Sequence, residues 1–281
     1  MTAAITIHYR RPELTARCVD SLLADGWAPV LVWDNSADDG ASIESLRLKC
    51  AGDARVMFAG SGTNLGFGRG MNAALARLGR RGPDHPVLLI NNDARARPGM
   101  REALLQAAAQ AAAPALIAPS LDQDGRSCGW LYYQPWLALV TRRRLPGSFR
   151  YLSGCCLLVV RADNGSPLFD PDFFMYGEDV ELCRRWQRNA GQLVLLEQAW
   201  VAHAGSASSG PASASYEFNL VRSHWLLAGK LGRHRMTRAI MRLLRLPMLL
   251  ARAVLRAWRF HSLMPVRALS ALFVFEHRSG D

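Results

Sequence analysis

Short apolar runs alternate with amphipathic stretches over the first hundred residues of the chain. Four runs have the length of strands, at residues 3–8, 30–33, 55–59 and 87–90. The stretches between them repeat apolar residues about one helical turn apart and predict helices that begin at Pro12, at Ser42 and near Gly70. Strands that alternate with helices at this spacing predict a parallel, Rossmann-like sheet covered by helices on both faces.

The pattern becomes mixed in the second hundred residues. Residues 100–112 are rich in Ala and predict a helix, whereas residues 155–160 predict a buried strand. Two further apolar runs, at residues 193–196 and 199–202, predict the last strands. Residues 205–215 consist almost entirely of Gly, Ser and Ala, so they predict a flexible linker or an active-site loop.

Charge divides the chain into two parts. Residues 216–281 contain twelve Lys or Arg and three Asp or Glu, and therefore carry +9 of the formal net charge of +11. The length of 281 residues suits one large α/β domain with an appendage. We therefore expect a nearly neutral domain over residues 1–215, followed by a basic, helical, membrane-associating segment over residues 216–281.

Six arginines of the C-terminal segment fall along one stripe of a helix predicted over residues 236–260, where Pro247 is expected to kink or split it. The stripe has apolar neighbours and no acid, which favours an interfacial helix whose arginines contact anionic lipid phosphates. The alternative is a pair of helices packed on the body with a solvated arginine face. Nucleic-acid binding is disfavoured because stacking aromatics are not interleaved with the arginines. The stripe consists of Arg238, Arg242, Arg245, Arg252, Arg256 and Arg259.

The cysteines and the N-terminus indicate the compartment. The six cysteines show neither metal-finger spacing nor a C-x-x-C motif, which favours a reducing environment. The chain enters its first strand without a signal-peptide pattern, and no window of about 18 residues is free of charge. We therefore expect a cytoplasmic protein that lies peripherally on the cytoplasmic face of the inner membrane.

Two adjacent carboxylates, Glu178 and Asp179, follow a bulky apolar run at a predicted helix start. A carboxylate held against aromatic side chains loses hydration, so its pKa rises and it becomes a better general base. Asp179 is the first candidate for such a base and Glu178 the second. The alternative is that both acids only complement the dipole of the helix.

Polar residues also follow the fourth and the last predicted strands. Asn91, Asn92 and Asp93 come directly after residues 87–90, where a divalent cation would find oxygen ligands. Asp93 could instead only cap the turn to the next helix. His203 ends the last apolar run and is a candidate second ligand, although a lone His is more often a hydrogen-bonded structural residue.

A glycine-rich loop and a group of aromatic residues are candidates for ligand contact. Residues 64–72 lead into the third predicted helix and could bring backbone amides close to an anion, or only shape the turn. Aromatic residues of the mixed β region could stack on sugar rings, yet such residues are as often core. They are Trp130, Tyr132, Tyr133 and Trp136.

Seven short motifs occur in a specific order along residues 5 to 205. They are residues 8–14, 32–36, 64–72, 89–94, 152–157, 173–185 and His203. With these motifs in this order, the chain resembles the family 2 glycosyltransferases that have the GT-A fold, and among them the rhamnosyltransferase-like group of bacterial surface-polysaccharide enzymes. The resemblance implies one GT-A-like, mostly parallel sheet with helices on both faces.

The resemblance also implies an inverting, metal-dependent enzyme of cell-surface glycan biosynthesis. It would move a sugar from a nucleotide-diphosphate sugar, dTDP-rhamnose or a UDP-sugar, to a hydroxyl of a lipid-linked or glycan acceptor. Asp179 and Glu178 would be catalytic, and Asp93, Asn91 and His203 would hold Mg²⁺ or Mn²⁺. The nucleotide sugar would contact Tyr9, Arg10, Asp34, Asn64, Gly66, Gly68, Asn72 and Asn92, and the acceptor would contact Tyr176, Glu178 and Trp130.

Two positions depart from the family's pattern. Arg10 stands where Asn is common, and the motif at residues 91–93 supplies a single acid. A second hypothesis is a non-catalytic, membrane-tethered module that binds a nucleotide sugar or a glycan. The enzyme hypothesis requires that Asp93 and Asp179 share one cleft, the former facing the diphosphate and the latter facing the acceptor.

Overall fold

The computed structural model describes residues 2–50, 52–79, 85–112, 114–123, 125–160, 166–203 and 213–273. Within these ranges, nine strands form one large mixed sheet. They are β1 (Ala4–His8), β2 (Val30–Asp34), β3 (Val56–Gly60), β4 (Val87–Asn91), β5 (Ala94–Ala96), β6 (Ala115–Gln123), β7 (Arg126–Cys128), β11 (Cys156–Val160) and β12 (Gln192–His203). The strand order is β3-β2-β1-β4-β11-β6-β12-β5, and β7 pairs with β6.

The pairing confirms the predicted α/β fold with a mostly parallel sheet. Strands β1 to β4 are parallel to one another, and β12 is parallel to β6. Strand β11, predicted at residues 155–160, runs antiparallel between β4 and β6. The carboxyl ends of β1, β2 and β4 therefore meet at one edge, where ligands bind in open sheets of this kind.

Helices cover both faces of the sheet, as predicted. Alternate residues of β4 enter different buried clusters, with Leu88 beside Leu22 and Leu89 beside Met71. Strands buried on both faces read as continuous apolar runs, which is the pattern seen in the sequence. The helices of the body are α1 (Pro12–Ala24), α2 (Ala41–Lys49), α3 (Phe67–Leu78), α4 (Met100–Gln110) and α5 (Glu178–Arg188).

Three local predictions need correction. Helix α3 begins at Phe67, three residues before the predicted start near Gly70. The two strands predicted at residues 193–196 and 199–202 are one strand, because β12 keeps pairing with β6 through two register shifts between residues 196 and 201. A second, three-stranded sheet was not predicted, since its strands are only three or four residues long. It is formed by β10 (Phe149–Tyr151), β8 (Leu131–Gln134) and β9 (Leu139–Thr141).

Helices form the C-terminal segment. They are α6 (Ala214–Leu231), α7 (Arg235–Phe260), the short α8 (Met264–Arg267) and a 3₁₀ turn (Ala268–Leu272). Pro247 does not split α7, which continues through it as one helix. The Ser213 side chain caps α6 by accepting from the Tyr216 backbone N–H at 3.2 Å. Most of the linker predicted at residues 205–215 lies outside the described residues.

Half of the arginine stripe of α7 turns toward the protein. Arg245 is fully buried, and Arg252 and Arg256 bind the buried Glu217 of α6 at 3.2 and 2.6 Å. The expectation that the stripe contacts lipid phosphates is therefore wrong for these three arginines. Arg238, Arg242 and Arg259 are exposed, and they share the exposed surface of α7 with apolar side chains. None of the helices in the described ranges is both long and apolar enough to cross a bilayer.

Candidate active site

A cavity of about 500 Å³ opens at the carboxyl ends of β1, β2 and β4. Asp93 and Asp179 both line it, so the two acids share one cleft as expected. Of the other predicted site residues, those that line the cavity are Tyr9, Asn64, Gly66, Asn91, Asn92, Tyr176, Glu178 and His203. Segments far apart in sequence therefore converge on a single pocket.

Gly66 makes the convergence possible by bringing two loops into direct contact. The Phe67 N–H donates to the Phe174 carbonyl at 2.8 Å, and a Cβ on Gly66 would lie 2.1 Å from that same oxygen. Gly66 also has a φ of 77°, which favours glycine. The buried Asn35 amide fixes the loop from below by donating to the Gly66 carbonyl at 2.8 Å. The glycine-rich loop is thus held against the segment that carries both acids.

Asp179 is held by two backbone donors at the start of α5. Its Oδ1 accepts from the Val180 N–H at 2.8 Å, and its Oδ2 accepts from the Gly154 N–H at 3.2 Å. Burial raises the pKa of Asp179, while these hydrogen bonds act in the opposite direction. The result is an oriented carboxylate of raised basicity inside the cavity.

Glu178 lies in a poorer environment for charge. Burial, and then the neighbouring charge of Asp179, raise the pKa of Glu178 to about 8. Its Oε2 is buried and has no hydrogen-bond partner among the described residues. This environment favours the protonated form of Glu178, which offers a hydrogen-bonding group to a ligand.

Asp93 and His203 face each other across the cavity edge. His203 Nε2 lies 3.3 Å from Asp93 Oδ1, and the Gln123 amide holds the other ring nitrogen at 3.0 Å. Among the described residues, Asn91 Oδ1 is buried without a hydrogen-bond partner, and the close approach of His203 to Asp93 Oδ1 does not have the geometry of a hydrogen bond. In the part of the chain that the structure describes, no three His, Cys, Asp or Glu side chains gather as a complete metal site. The donor set fits a hard cation whose remaining ligands come from a substrate.

Two residues of the glycine-rich loop serve the packing of a neighbouring segment. The Asn72 amide donates to the Phe169 carbonyl at 2.8 Å and accepts from the Phe169 N–H at 3.0 Å. A Cβ on Gly68 would lie 3.1 Å from Phe169 Cβ. The structure therefore places Asn72 and Gly68 beside the cavity wall and outside the set that lines it. Both ends of the Asn72 amide are already used.

Arg10, Asp34 and Trp130 also lie outside the cavity lining. Asp34 accepts from the Ser36 N–H at 2.9 Å, and Arg10 Nε donates to the Ser36 carbonyl at 3.0 Å. The guanidinium of Arg150 covers the ring of Trp130 at 4.4 Å. Arg10 and Asp34 lie at the strand ends predicted from the sequence. Their polar groups, however, form hydrogen bonds with the backbone of the turn at Ser36.

Several lining residues were not assigned from the sequence. Asn35 could have been predicted as a lining residue, because it follows Asp34 at the same strand end. The others come from the segment before β11, from the small sheet and from α6, and no local pattern links them to the strand ends. They include Tyr151, Ser153, Gly154, Ser223 and His224, whereas Tyr133 was already a candidate for stacking on a sugar ring.

Comparison with known proteins decides the family. No protein-family model matches the chain. Two curated relatives, from Mycobacterium tuberculosis strains CDC 1551 / Oshkosh and ATCC 25618 / H37Rv, are each named N-acetylglucosaminyl-diphospho-decaprenol L-rhamnosyltransferase. Each is 30% identical over 227 residues, which cover 70% of this chain and 73% of the relative. The chain belongs to glycosyltransferase family 2. Within that family it falls in the rhamnosyltransferase-like group.

Solved structures of another protein share the fold of this glycosyltransferase. The crystal structure of S. aureus TarS 1-349 matches with a TM-score of 0.54 and 16% identity, over 92% of this chain and 72% of the other. The same fragment in complex with UDP matches with a TM-score of 0.51 and 16% identity, over 86% and 70% of the two chains. At this identity the likeness shows the GT-A fold alone.

Proposed function

We propose that this glycosyltransferase moves L-rhamnose from a nucleotide-diphosphate donor to a hydroxyl of a lipid-linked acceptor, with inversion at the anomeric carbon. The names of the two curated relatives support both the sugar and an acceptor that carries a diphosphate and a polyprenyl chain. The observation that carries the proposal is the single cavity lined by Asp93 and Asp179.

Asp179 acts as the general base in this proposal. It accepts the proton of the acceptor hydroxyl while that oxygen forms a bond to the anomeric carbon. The bond from the anomeric carbon to the diphosphate breaks on the opposite side, and the nucleoside diphosphate leaves with the electron pair. The two backbone donors to Asp179 keep its carboxylate in one orientation during the transfer. Such a single displacement inverts the configuration.

Glu178 and Tyr176 contact the acceptor in this proposal. Glu178 is protonated at neutral pH and presents a polar group with no internal partner on Oε2, so it hydrogen-bonds an acceptor oxygen. Tyr176 lines the same cavity and packs edge to face against Tyr216 of α6. Trp130 is left out of the acceptor site, because Arg150 covers its ring.

The donor is held at the strand ends. Tyr9, Asn64 and Asn92 supply polar contacts for the nucleotide, and Asn35 joins them as a lining residue. Asp93, Asn91 and His203 would hold Mg²⁺ or Mn²⁺ together with the donor's diphosphate. Such a cation supplies charge that stabilises the departing diphosphate.

The base assignment is tested by Asp179→Asn. The substitution removes the proton acceptor and keeps the size of the side chain, so transfer should fall by about 10²- to 10⁴-fold. Binding of dTDP, measured by calorimetry, should stay within about threefold of wild type. Asp172→Asn is the matched control, since Asp172 is exposed in the loop before α5 and should keep full transfer. Comparable turnover by Asp179→Asn would exclude Asp179 as the base.

The competing hypothesis of a non-catalytic binding module makes a different prediction. It expects wild-type protein to bind dTDP-rhamnose and to transfer nothing to a polyprenyl-diphosphate acceptor. Product formed by wild type and lost in Asp179→Asn distinguishes catalysis from binding.

We also propose that the enzyme lies on the cytoplasmic face of the inner membrane. Leu243, Leu250, Val254 and Leu255 of α7 are all more than half exposed, and Trp258 is 78% exposed. Exposed apolar residues along one helix, with Arg235 and Arg242 near them, are typical of a helix that lies in an anionic lipid interface. The acceptor's polyprenyl chain would be anchored in the same bilayer.

A further inference from the structure

One wall of the cavity has a different character from the strand ends. It is built by α6 and the small sheet, and its lining residues are histidine, tyrosine, serine and apolar side chains without a carboxylate. The acids that line the cavity come from the turn after β4 and from the start of α5. The wall consists of Tyr133, Val140, Ser213, Ser215, Leu220, Ser223, His224 and Leu227.

Tyr133 fixes the tautomer of His224. The hydroxyl of the fully buried Tyr133 lies 3.2 Å from Nδ1 of His224, and the two rings are stacked with centroids 6.0 Å apart. Burial raises the pKa of Tyr133 to about 12, so the hydroxyl keeps its hydrogen. A buried hydroxyl hydrogen requires an acceptor, and within the described ranges that acceptor is Nδ1 of His224. The neutral His224 ring therefore carries its own hydrogen on Nε2.

Arg245 of α7 supports this wall from behind. Its Nε donates to the Pro135 carbonyl at 2.9 Å, and Nη1 donates to the backbone carbonyl of His224. Its guanidinium also lies 5.7 Å from the centre of the Tyr133 ring. Arg245 is fully buried, and no carboxylate of the described residues lies within ion-pair distance of it.

A buried cation without a counter-charge produces a positive potential around it, because the surrounding medium screens poorly. Burial, together with Arg245 and Arg252, lowers the pKa of His224 to about 3, so its ring stays neutral at physiological pH. The wall thus combines an N–H donor with a positive potential, which suits an anionic oxygen.

We propose that this wall binds a diphosphate group, with the Nε2–H of His224 donating to a phosphate oxygen and Arg245 acting as its positioning residue. The proposal rests on the proposed function, in which both donor and acceptor carry a diphosphate. The position of the wall favours the acceptor, because α6 leads directly into α7, whose apolar face would lie at the lipid surface.

The test is calorimetric binding of geranylgeranyl diphosphate to the full chain. His224→Phe keeps a ring against Tyr133 and removes the donor, so it should weaken binding about tenfold, as expected for a hydrogen bond to a charged group. His224→Gln supplies an amide N–H and should recover most of the affinity. Tyr133→Phe should weaken binding severalfold, whereas Tyr132→Phe, on the same strand and outside the cavity, should leave it unchanged.

Three results would overturn the proposal. One is unchanged geranylgeranyl diphosphate binding in both His224→Phe and Tyr133→Phe. A second is an equal loss of binding for geranylgeraniol, which has no diphosphate. A third is a loss of dTDP binding with the lipid diphosphate unaffected, which would assign the wall to the donor.

The outcome is separable from that of the proposed function. Binding of the lipid diphosphate that depends on His224, in a protein that transfers no sugar, would contradict only the proposed function. Sugar transfer with full binding in both variants would contradict only the present proposal.

Discussion

At the scale of single residues, the two adjacent acids of the cavity have different environments. Asp179 receives two backbone N–H groups, which favour its ionised form. Glu178 is the more deeply buried of the two, and its Oε2 has no hydrogen-bond partner among the described residues. When two neighbouring carboxyl groups have different surroundings, their pKa values differ, and one can act as a base while the other stays protonated. Here they support a base at Asp179 and a neutral hydrogen-bonding group at Glu178.

Glu178→Gln is expected to stabilise the protein while impairing transfer. The pKa of Glu178 is about 8 in the folded protein against an ordinary value of 4.5, so the folded state holds the proton more tightly. Wild type therefore loses stability as the pH rises from about 4.5 to about 8, by up to about 1.4 kcal/mol per pH unit. Thermal unfolding of both proteins should be measured at pH 5, 6.5 and 8. The unfolding temperature of the variant should exceed that of wild type by a difference that grows with pH.

Glu181→Gln provides the matched control on the same helix. Glu181 is also buried, but it is paired with Arg185 at 2.9 Å, so the same substitution there removes a favourable interaction. Glu181→Gln should lower the unfolding temperature. The proposed environment of Glu178 would be contradicted if the difference in unfolding temperature between Glu178→Gln and wild type did not change with pH, or if the variant unfolded at a lower temperature than wild type.

At the scale of elements, helix α7 shows how a tertiary partner reverses a sequence pattern. Its arginine stripe contains no acid, so the sequence favoured exposure to lipid phosphates. In the fold, Glu217 of α6 supplies the acid, and backbone carbonyls receive Arg245. The exposed part of α7 carries apolar side chains together with the remaining arginines, Arg235, Arg238, Arg242 and Arg259.

Arg245→Met should destabilise the protein by about 2 kcal/mol, because it removes the hydrogen bonds that the guanidinium donates to the carbonyls of Pro135 and His224. Urea unfolding measures this change in the free energy of unfolding. Arg235→Met, at the exposed start of the same helix, should change it by less than about 0.5 kcal/mol. Equal stability of the two variants would show that Arg245 is not part of a buried network.

At the scale of the whole molecule, the basic charge and the apolar surface fall in the same C-terminal segment. The body carries little net charge, whereas residues 216–281 carry +9 of the total of +11. Apolar side chains and arginines both contribute to binding at anionic interfaces. The active-site cavity is lined in part by α6, so binding through α7 would bring the cavity to the surface that holds the acceptor.

Leu243→Glu combined with Leu250→Glu should abolish sedimentation with vesicles that contain phosphatidylglycerol. The two side chains are 67% and 52% exposed and lie seven residues apart, on one face of α7. Burying each in lipid contributes about 1.5 to 3 kcal/mol, and an added carboxylate would be repelled by anionic lipid. Leu48→Glu, on α2 and 83% exposed, should sediment like wild type. Vesicle binding that survives the double substitution would exclude this face as the membrane contact.

The sequence by itself determined the alternation of strands and helices over the first hundred residues, the mostly parallel sheet and the main acids of the cavity. Local periodicity and the rule that parallel strands end at one edge allowed Asn91 and Asp93 to be chosen without coordinates, and Asp179 was chosen because it follows an apolar run at a predicted helix start. Only the tertiary structure decided that Asn72 clamps Phe169, that the Arg245 side of α7 faces inward, and that His224 and Tyr133 complete the cavity. Each of these depends on contacts between segments tens to more than a hundred residues apart, and local spacing contains no information about which distant partner a side chain meets.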